Sequence, residues 1–149
     1  MLRIATVMIA LLTVPAAMDN AQAAEYALVV NAANATVDGE DARQIVKRLY
    51  LKQASSWPGG AEAQPFAREP GTPEQTAFYS QVLGMDENAV NEHWLRVKQT
   101  EGETPPRSIG SARILFRLVG KYDGSFAVVT ANEVADAPPE VKVLFTFSE

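Results

Sequence analysis

Cysteine is absent from this 149-residue sequence, and His93 is its only histidine. Without cysteine the chain cannot form disulfides, thiolate zinc sites or cysteine nucleophiles. A single histidine excludes every motif that needs two, including the helical two-histidine zinc pattern. A G-x-S-x-G nucleophile elbow is also missing from the sequence. The sequence therefore predicts a non-enzyme with no catalytic residue, no metal site and no cofactor.

Basic clusters are scarce as well. Lys and Arg number 13 against 18 Asp and Glu, which gives a formal net charge of −5. A duplex nucleic-acid binder normally presents a basic face, and anionic membrane surfaces attract basic segments. We therefore expect no nucleic-acid partner and no binding to a membrane surface. An anionic ligand would have to be held by backbone dipoles and one or two well-placed cations.

A long hydrophobic run occurs only at the start of the chain. Arg3 precedes an apolar run over residues 4–17, and the small-x-small pattern Ala21-Gln22-Ala23 follows. This order is typical of a secretory signal peptide, and the run is shorter than the about 20 residues of a membrane-spanning helix. The sequence predicts a signal peptide over 1–23 and a domain over 24–149. It also predicts export to the periplasm, without membrane insertion after cleavage.

The remaining chain alternates short apolar runs with amphipathic segments, and its 47% hydrophobic content suits one globular domain. The pattern predicts strands at 26–30, 64–67, 125–130 and 141–147. It predicts helices that begin at the N-caps Asp38, Thr72, Asp86 and Ser108, the first ending near Leu51 and the second at Gly84. This alternation is typical of an α/β sandwich with a small central sheet.

The clearest helix start in the sequence follows the second predicted strand. Thr72 occupies the cap, Pro73 the first helical position, and Gln75 the position that completes a capping box. A helix N-terminus presents unpaired N–H groups and a partial positive charge, so it can hold a small oxyanion. The segment 68–72 is therefore the candidate ligand site.

Two interpretations of this segment remain open from the residues alone. In the first, Arg68 supplies a bidentate cation, Gly71 allows close backbone approach, and Thr72 offers its hydroxyl and amide. In the second, Thr72 only caps the helix, and Arg68 pairs with Glu69 or another surface acid. The second interpretation gives the segment no ligand.

Several short motifs occur in a recognisable order along the chain. They are Val29-Val30-Asn31, Leu49-Tyr50-Leu51-Lys52, Trp57-Pro58-Gly59-Gly60, Gly71-Thr72, Phe78-Tyr79, Val82-Leu83-Gly84, Trp94, Pro105-Pro106 and Gly124-Ser125-Phe126-Ala127-Val128. In this order the chain resembles the small, single-lobe relatives of the phosphate-binding proteins of ABC transporters, within the type II periplasmic-binding-protein fold. The resemblance covers about residues 26 to 146.

The resemblance implies an α/β fold, namely a single-lobe, periplasmic-binding-protein-like three-layer sandwich with a small mixed central sheet. It implies that Arg68, Gly71 and Thr72 contact phosphate or a similar small oxyanion. It also implies a solute-binding role and a membrane transporter or sensor as partner.

Three departures from the family pattern make the implied site less positive or differently shaped. Gln75 and Thr76 stand where a basic residue is common, the loop 99–103 carries acids in place of a cation, and Ala127-Val128-Val129 lacks a glycine. A single lobe would also leave the ligand hydrated and each contact weak. We therefore expect weak oxyanion binding. The alternative is a protein-interaction or accessory protein that keeps the fold and has lost the ligand.

Overall fold

The computed structural model describes residues 23–149, so nearly all of the predicted signal peptide lies outside the described residues. The strands are β1 (Glu25–Asn31), β2 (Gln64–Ala67), β3 (Arg107–Ser108), β4 (Ser125–Thr130) and β5 (Val141–Ser148). The helices are α1 (Glu40–Tyr50), α2 (Pro73–Ala77), its π-helical continuation (Phe78–Leu83), α3 (Glu87–Glu101), α4 (Ala112–Lys121) and α5 (Ala131–Val134). None of these helices is long and apolar enough to cross a bilayer.

The five strands form one mixed sheet in the order β3-β2-β4-β1-β5. β2 pairs in parallel with β3 and β4, whereas β1 runs antiparallel to both β4 and β5. Leu28, Val29 and Val30 of the central strand β1 are all fully buried. A strand whose successive residues are all buried must be covered on both faces, because its side chains alternate between them.

Each face of the sheet carries its own hydrophobic core. On one face, Leu28, Val30 and Phe126 pack with side chains of α1, the π-helical segment and α3. On the other face, Val29 and Val129 pack with side chains of α4. The three-layer sandwich with a small mixed central sheet is therefore confirmed.

Most predicted elements are present, but two of the predicted helix starts are wrong. The cap of α1 is Gly39, at φ 155°, rather than Asp38. Ser108 belongs to β3, and the N-cap of α4 is Ser111, whose side chain accepts from the Ile114 amide. The two-residue strand β3 forms by pairing with the end of β2, and this tertiary contact leaves no periodic pattern in the sequence. The four-residue helix α5 was also missed.

The capping box predicted for α2 does not form, although the helix begins where expected. Gln75 is 1% exposed, and its Oε1 accepts a 2.7 Å hydrogen bond from the Arg68 amide. Its Nε2 donates to the Tyr50 hydroxyl at 3.3 Å. Gln75 therefore joins the end of β2 to α1 instead of reaching back to Thr72. By contrast, the cap predicted at Asp86 is confirmed, because its Oδ1 accepts from the Ala89 amide at 2.7 Å.

A close backbone approach fixes the start of β4 beside β2. The carbonyl of Gly124 accepts from Trp57 Nε1 and from the Gln64 amide, both at 2.9 Å. A Cβ placed on Gly124 would lie 1.7 Å from the Glu62 carbonyl oxygen. Only glycine allows this approach without moving the backbone.

Gly124→Ala should therefore lower the free energy of unfolding by about 3 kcal/mol or more, because the added methyl group forces the two backbones apart. Urea denaturation followed by circular dichroism measures this. Gly59→Ala is the matched control, since a Cβ there would meet nothing within 4 Å. We expect the control to change stability by less than about 0.5 kcal/mol. Equal stability of the two variants would contradict the proposed close approach.

Candidate functional site

The candidate site lies where three parallel strands end at the same edge of the sheet. Arg68 directly follows β2, Gly110 comes two residues after β3, and Glu133 lies in α5, just after β4. In open α/β sheets, ligands bind in the crevice outside the carboxyl ends of the strands. The fold thus places the predicted arginine at the edge where such sheets bind their ligands.

The guanidinium of Arg68 is buried and engaged within the protein. The residue is 6% exposed. Its Nη1 and Nη2 donate to Glu133 Oε1 and Oε2 at 2.9 and 3.1 Å, which is a bidentate pair. Nη2 also donates to the Gly110 carbonyl at 3.2 Å and lies 3.4 Å from Glu74 Oε1. We call Arg68, Glu74, Gly110 and Glu133 the Arg68 cluster.

Glu133 is itself held in place by the start of α5. Its amide donates to Thr130 Oγ1 at 3.2 Å, and its Oε1 accepts from the Thr130 amide at 3.0 Å, which completes a capping box. Partial burial would raise the pKa of Glu133, but hydrogen bonds from Arg68 and Thr130 outweigh it and place the pKa below its ordinary value. Sequence reasoning missed this residue, although the Thr130-x-x-Glu133 spacing is a capping-box signal.

The other two predicted site residues lie in the same turn as Arg68. Gly71 adopts φ 79°, and a Cβ there would meet nothing within 4 Å, so this glycine serves the turn and faces open space. Thr72 donates both its hydroxyl, at 2.9 Å, and its amide, at 3.3 Å, to the Glu69 carbonyl. The structure therefore brings Arg68, Gly71 and Thr72 together, but the two terminal nitrogens of Arg68 and both donors of Thr72 already have protein acceptors.

Glu133 also borders a cavity of about 750 Å³ between α4 and the segment that follows β4. On one wall, α4 carries three cations at four-residue spacing, namely Arg113, Arg117 and Lys121. The other wall carries three acids, namely Glu133, Asp136 and Glu140. The formal charges of these six side chains sum to zero. Within residues 23–149 no group of three or more His, Asp or Glu side chains is placed to hold a metal ion.

The Arg68–Glu133 pair should contribute measurably to stability. Glu133→Ala is expected to lower the free energy of unfolding by about 2 kcal/mol near neutral pH, because the buried guanidinium loses its bidentate acceptor. The matched control is Glu103→Ala. Glu103 pairs with Lys52 at 3.8 Å with its side chain 48% exposed, so the control should cost under about 0.5 kcal/mol.

The contribution of Glu133 should also depend on pH. Since the pKa of Glu133 is lower in the folded state, the carboxylate stabilises the fold fully above the unfolded pKa of about 4.3. This stabilisation is lost as the pH falls through the lowered folded value. Urea titrations of wild type and Glu133→Ala should therefore converge in acid. A difference that stays constant down to about pH 2 would show that the ion pair does not act as described.

Comparisons with known proteins identify the fold. No family model matches the sequence, and no curated protein matches it significantly.

Among solved structures, the chain is similar to an ABC-type phosphate transport receptor from Vibrio cholerae, with 18% identity and a TM-score of 0.59. The match covers 81% of this chain and 46% of the receptor. It is also similar to PstS from Borrelia burgdorferi, with 10% identity and a TM-score of 0.56 over 82% of this chain and 47% of PstS. The chain thus spans less than half the length of these proteins, and it has the fold of one lobe of a phosphate-type substrate-binding protein.

Proposed function

We propose that this protein is an exported, non-enzymatic solute-binding module that binds phosphate or a similar oxyanion weakly through Arg68, Gly71 and Thr72. The observation that carries the proposal is the bidentate geometry of Arg68 at the carboxyl ends of three strands. A guanidinium presented in this way matches two oxygens of a planar or tetrahedral oxyanion. The likeness to a phosphate transport receptor and to PstS supports the same ligand class.

We expect weak binding because Glu133 competes with an external oxyanion for the guanidinium of Arg68. Glu133 already occupies both terminal nitrogens of Arg68, and Glu74 lies 3.4 Å from one of them, so the cluster carries one cation and two carboxylates. An external oxyanion must displace Glu133 and also meet a negative formal charge. The chain spans less than half of the length of its structural relatives.

Isothermal titration with inorganic phosphate tests this proposal. We expect wild type to bind with a Kd in the millimolar range, because Glu133 competes for the guanidinium. Glu133→Gln should tighten binding about tenfold, since it removes one negative charge and weakens the competitor. Arg68→Ala should abolish the heat. Glu103→Gln is the control, because it makes the same change of net charge on an exposed side chain outside the cluster.

The absence of heat in wild type and in Glu133→Gln, with both variants folded by circular dichroism, would overturn oxyanion binding. Glu74→Gln provides a second removal of a competing carboxylate in case Glu133→Gln unfolds. Heat that is unchanged in Arg68→Ala would place any phosphate elsewhere on the surface.

A second candidate is a protein-interaction or accessory role in which the fold persists without the ligand. The specific observation in its favour is that both Thr72 donors and both terminal nitrogens of Arg68 are already satisfied within the protein. This candidate predicts no phosphate heat and recovery of a membrane transporter or sensor when the tagged protein is purified from the exported fraction. Phosphate binding that depends on Arg68 would argue against it.

Export itself is tested by the N-terminus of the secreted protein. Cleavage after Ala23, at the end of the small-x-small pattern, should leave a chain that begins at Ala24. N-terminal sequencing of the periplasmic fraction checks this. Ala21→Arg together with Ala23→Arg should retain the uncleaved precursor, because the processing site requires small residues. A full-length chain confined to the cytoplasm would contradict the proposal.

A further inference from the structure

The outer side of α4 carries a row of three cations that form no ion pair within the described part of the chain. Arg113, Arg117 and Lys121 recur at four-residue spacing, so they form a row of about 12 Å along the helix. All three are exposed, and none of the ion pairs among residues 23–149 involves them. Like charges at this spacing destabilise a helix, so the row does not serve the fold of α4. We call it the cationic row.

A row of apolar side chains runs beside the cationic row. Each member directly follows one of the cations in the sequence, and the members are Ile114, Leu118 and Tyr122. Ile114 is 47% exposed and Tyr122, the C-cap residue, 37%, whereas Leu118 is half-buried. Lys121 Nζ lies 5.2 Å from the centroid of the Tyr122 ring, so the two rows are in contact. We call these residues the apolar row, and the two rows together the α4 face.

The charge of the α4 face favours an acidic partner. The whole chain has a net charge of −5, yet no Asp or Glu occurs between Ala112 and Tyr122. A second copy of the chain that packed symmetrically through this face would place cations against cations, because a two-fold contact uses the same patch on both subunits. The complementary occupant therefore carries acids next to apolar side chains.

Two acids beside the α4 face distinguish a helix from a membrane as this partner. Asp136 and Glu140 are exposed on the cavity wall opposite the cationic row. A flat anionic surface broad enough to cover α4 would also approach these carboxylates, and the net charge of −5 would oppose it. A single helix is about 10–12 Å wide, so it can lie along α4 alone. Rows at four-residue spacing are also the ridges against which a second helix packs.

We propose that the α4 face binds an acidic amphipathic helix of another protein. The acids of that helix pair with the cationic row, and its apolar side chains pack on the apolar row. Charge pairing gives the contact its specificity, and the buried apolar surface adds affinity. This inference does not rest on phosphate binding, because no residue of α4 belongs to the Arg68 cluster.

Nuclear magnetic resonance of ¹⁵N-labelled protein with a synthetic peptide tests this inference. The probe is an acetylated and amidated helix of about five turns, with Glu in one four-residue row, Leu in the adjacent row and Ala elsewhere. We expect saturable shifts of the amides of residues 112–122, with a Kd of about 0.1–1 mM at low salt. The same peptide with Gln in place of Glu should bind about tenfold more weakly, because charge pairing is lost. No saturable shift, or equal binding of the two peptides, would overturn the inference.

Matched variants separate the two rows from general effects of charge and apolar surface. Arg117→Gln should weaken binding of the acidic peptide about threefold to tenfold. Arg48→Gln removes the same charge from an exposed position on α1 and should leave the affinity unchanged. Ile114→Gln should also weaken binding, whereas Leu95→Gln changes an apolar side chain that is 57% exposed on α3 and should have no effect. Equal effects of a variant and its control would overturn the assignment of that row.

Thermal unfolding shows whether Arg117 acts on the fold rather than on a partner. Arg117→Gln should leave the Tm unchanged or raise it, because the substitution removes like-charge repulsion along α4. A Tm that falls together with peptide affinity would show that Arg117 is structural and would overturn its assignment to the α4 face.

Two controls without peptide test the other occupants of this face. Vesicles of phosphatidylglycerol should leave the amides of residues 112–122 in place, and a shift that Arg117→Gln abolishes would assign the face to a membrane instead. Shifts of the same amides with protein concentration alone would assign it to a second copy. Either result would overturn the helix partner. Since phosphate heat at Arg68 and peptide shifts on α4 are separate readouts, either proposal can fail while the other stands.

Discussion

A buried guanidinium is the constraint around which this edge of the molecule is organised. Arg68 is removed from water, and an unpaired buried charge is far more costly than a paired one. Glu133 supplies the opposite charge, and the Gly110 carbonyl is a further acceptor. The side chain of Gln75 fixes the Arg68 backbone, because its Oε1 accepts from the Arg68 amide. These contacts join the ends of β2, β3 and β4 to α5 and α2. One charged side chain therefore sets the positions of the turns that close the carboxyl edge of the sheet.

The same pair determines what the edge can recognise. The bidentate oxygens that a ligand would bring to Arg68 are provided by Glu133, whose orientation comes from the capping box at Thr130. Glu133 thus occupies the terminal nitrogens of Arg68 that an external anion would otherwise contact.

The sequence predicted those features that depend on near neighbours. These features depend on residues that are close together in the sequence. They are the buried run of β1, the positions of the four predicted strands, the Asp86 cap and the helix end at Gly84. It also placed Arg68, Gly71 and Thr72 in one turn. It could not pair Arg68 with Glu133, because 65 residues separate them and only the parallel pairing of β2 with β4 brings them together. Gln75 shows the same limit, since a side chain with a sound capping pattern was recruited instead by the core contact with Tyr50.

The chain spans less than half the length of the solved structures that it resembles, yet its sheet does not need the rest of such a protein in order to be covered. Helices α1 and α3 cover one face and α4 the other, so both hydrophobic cores are completed by residues 23–149. Folding and recognition therefore place different demands on the same lobe. The cores close within residues 23–149, whereas an external anion at the carboxyl edge would have to compete with Glu133 for Arg68.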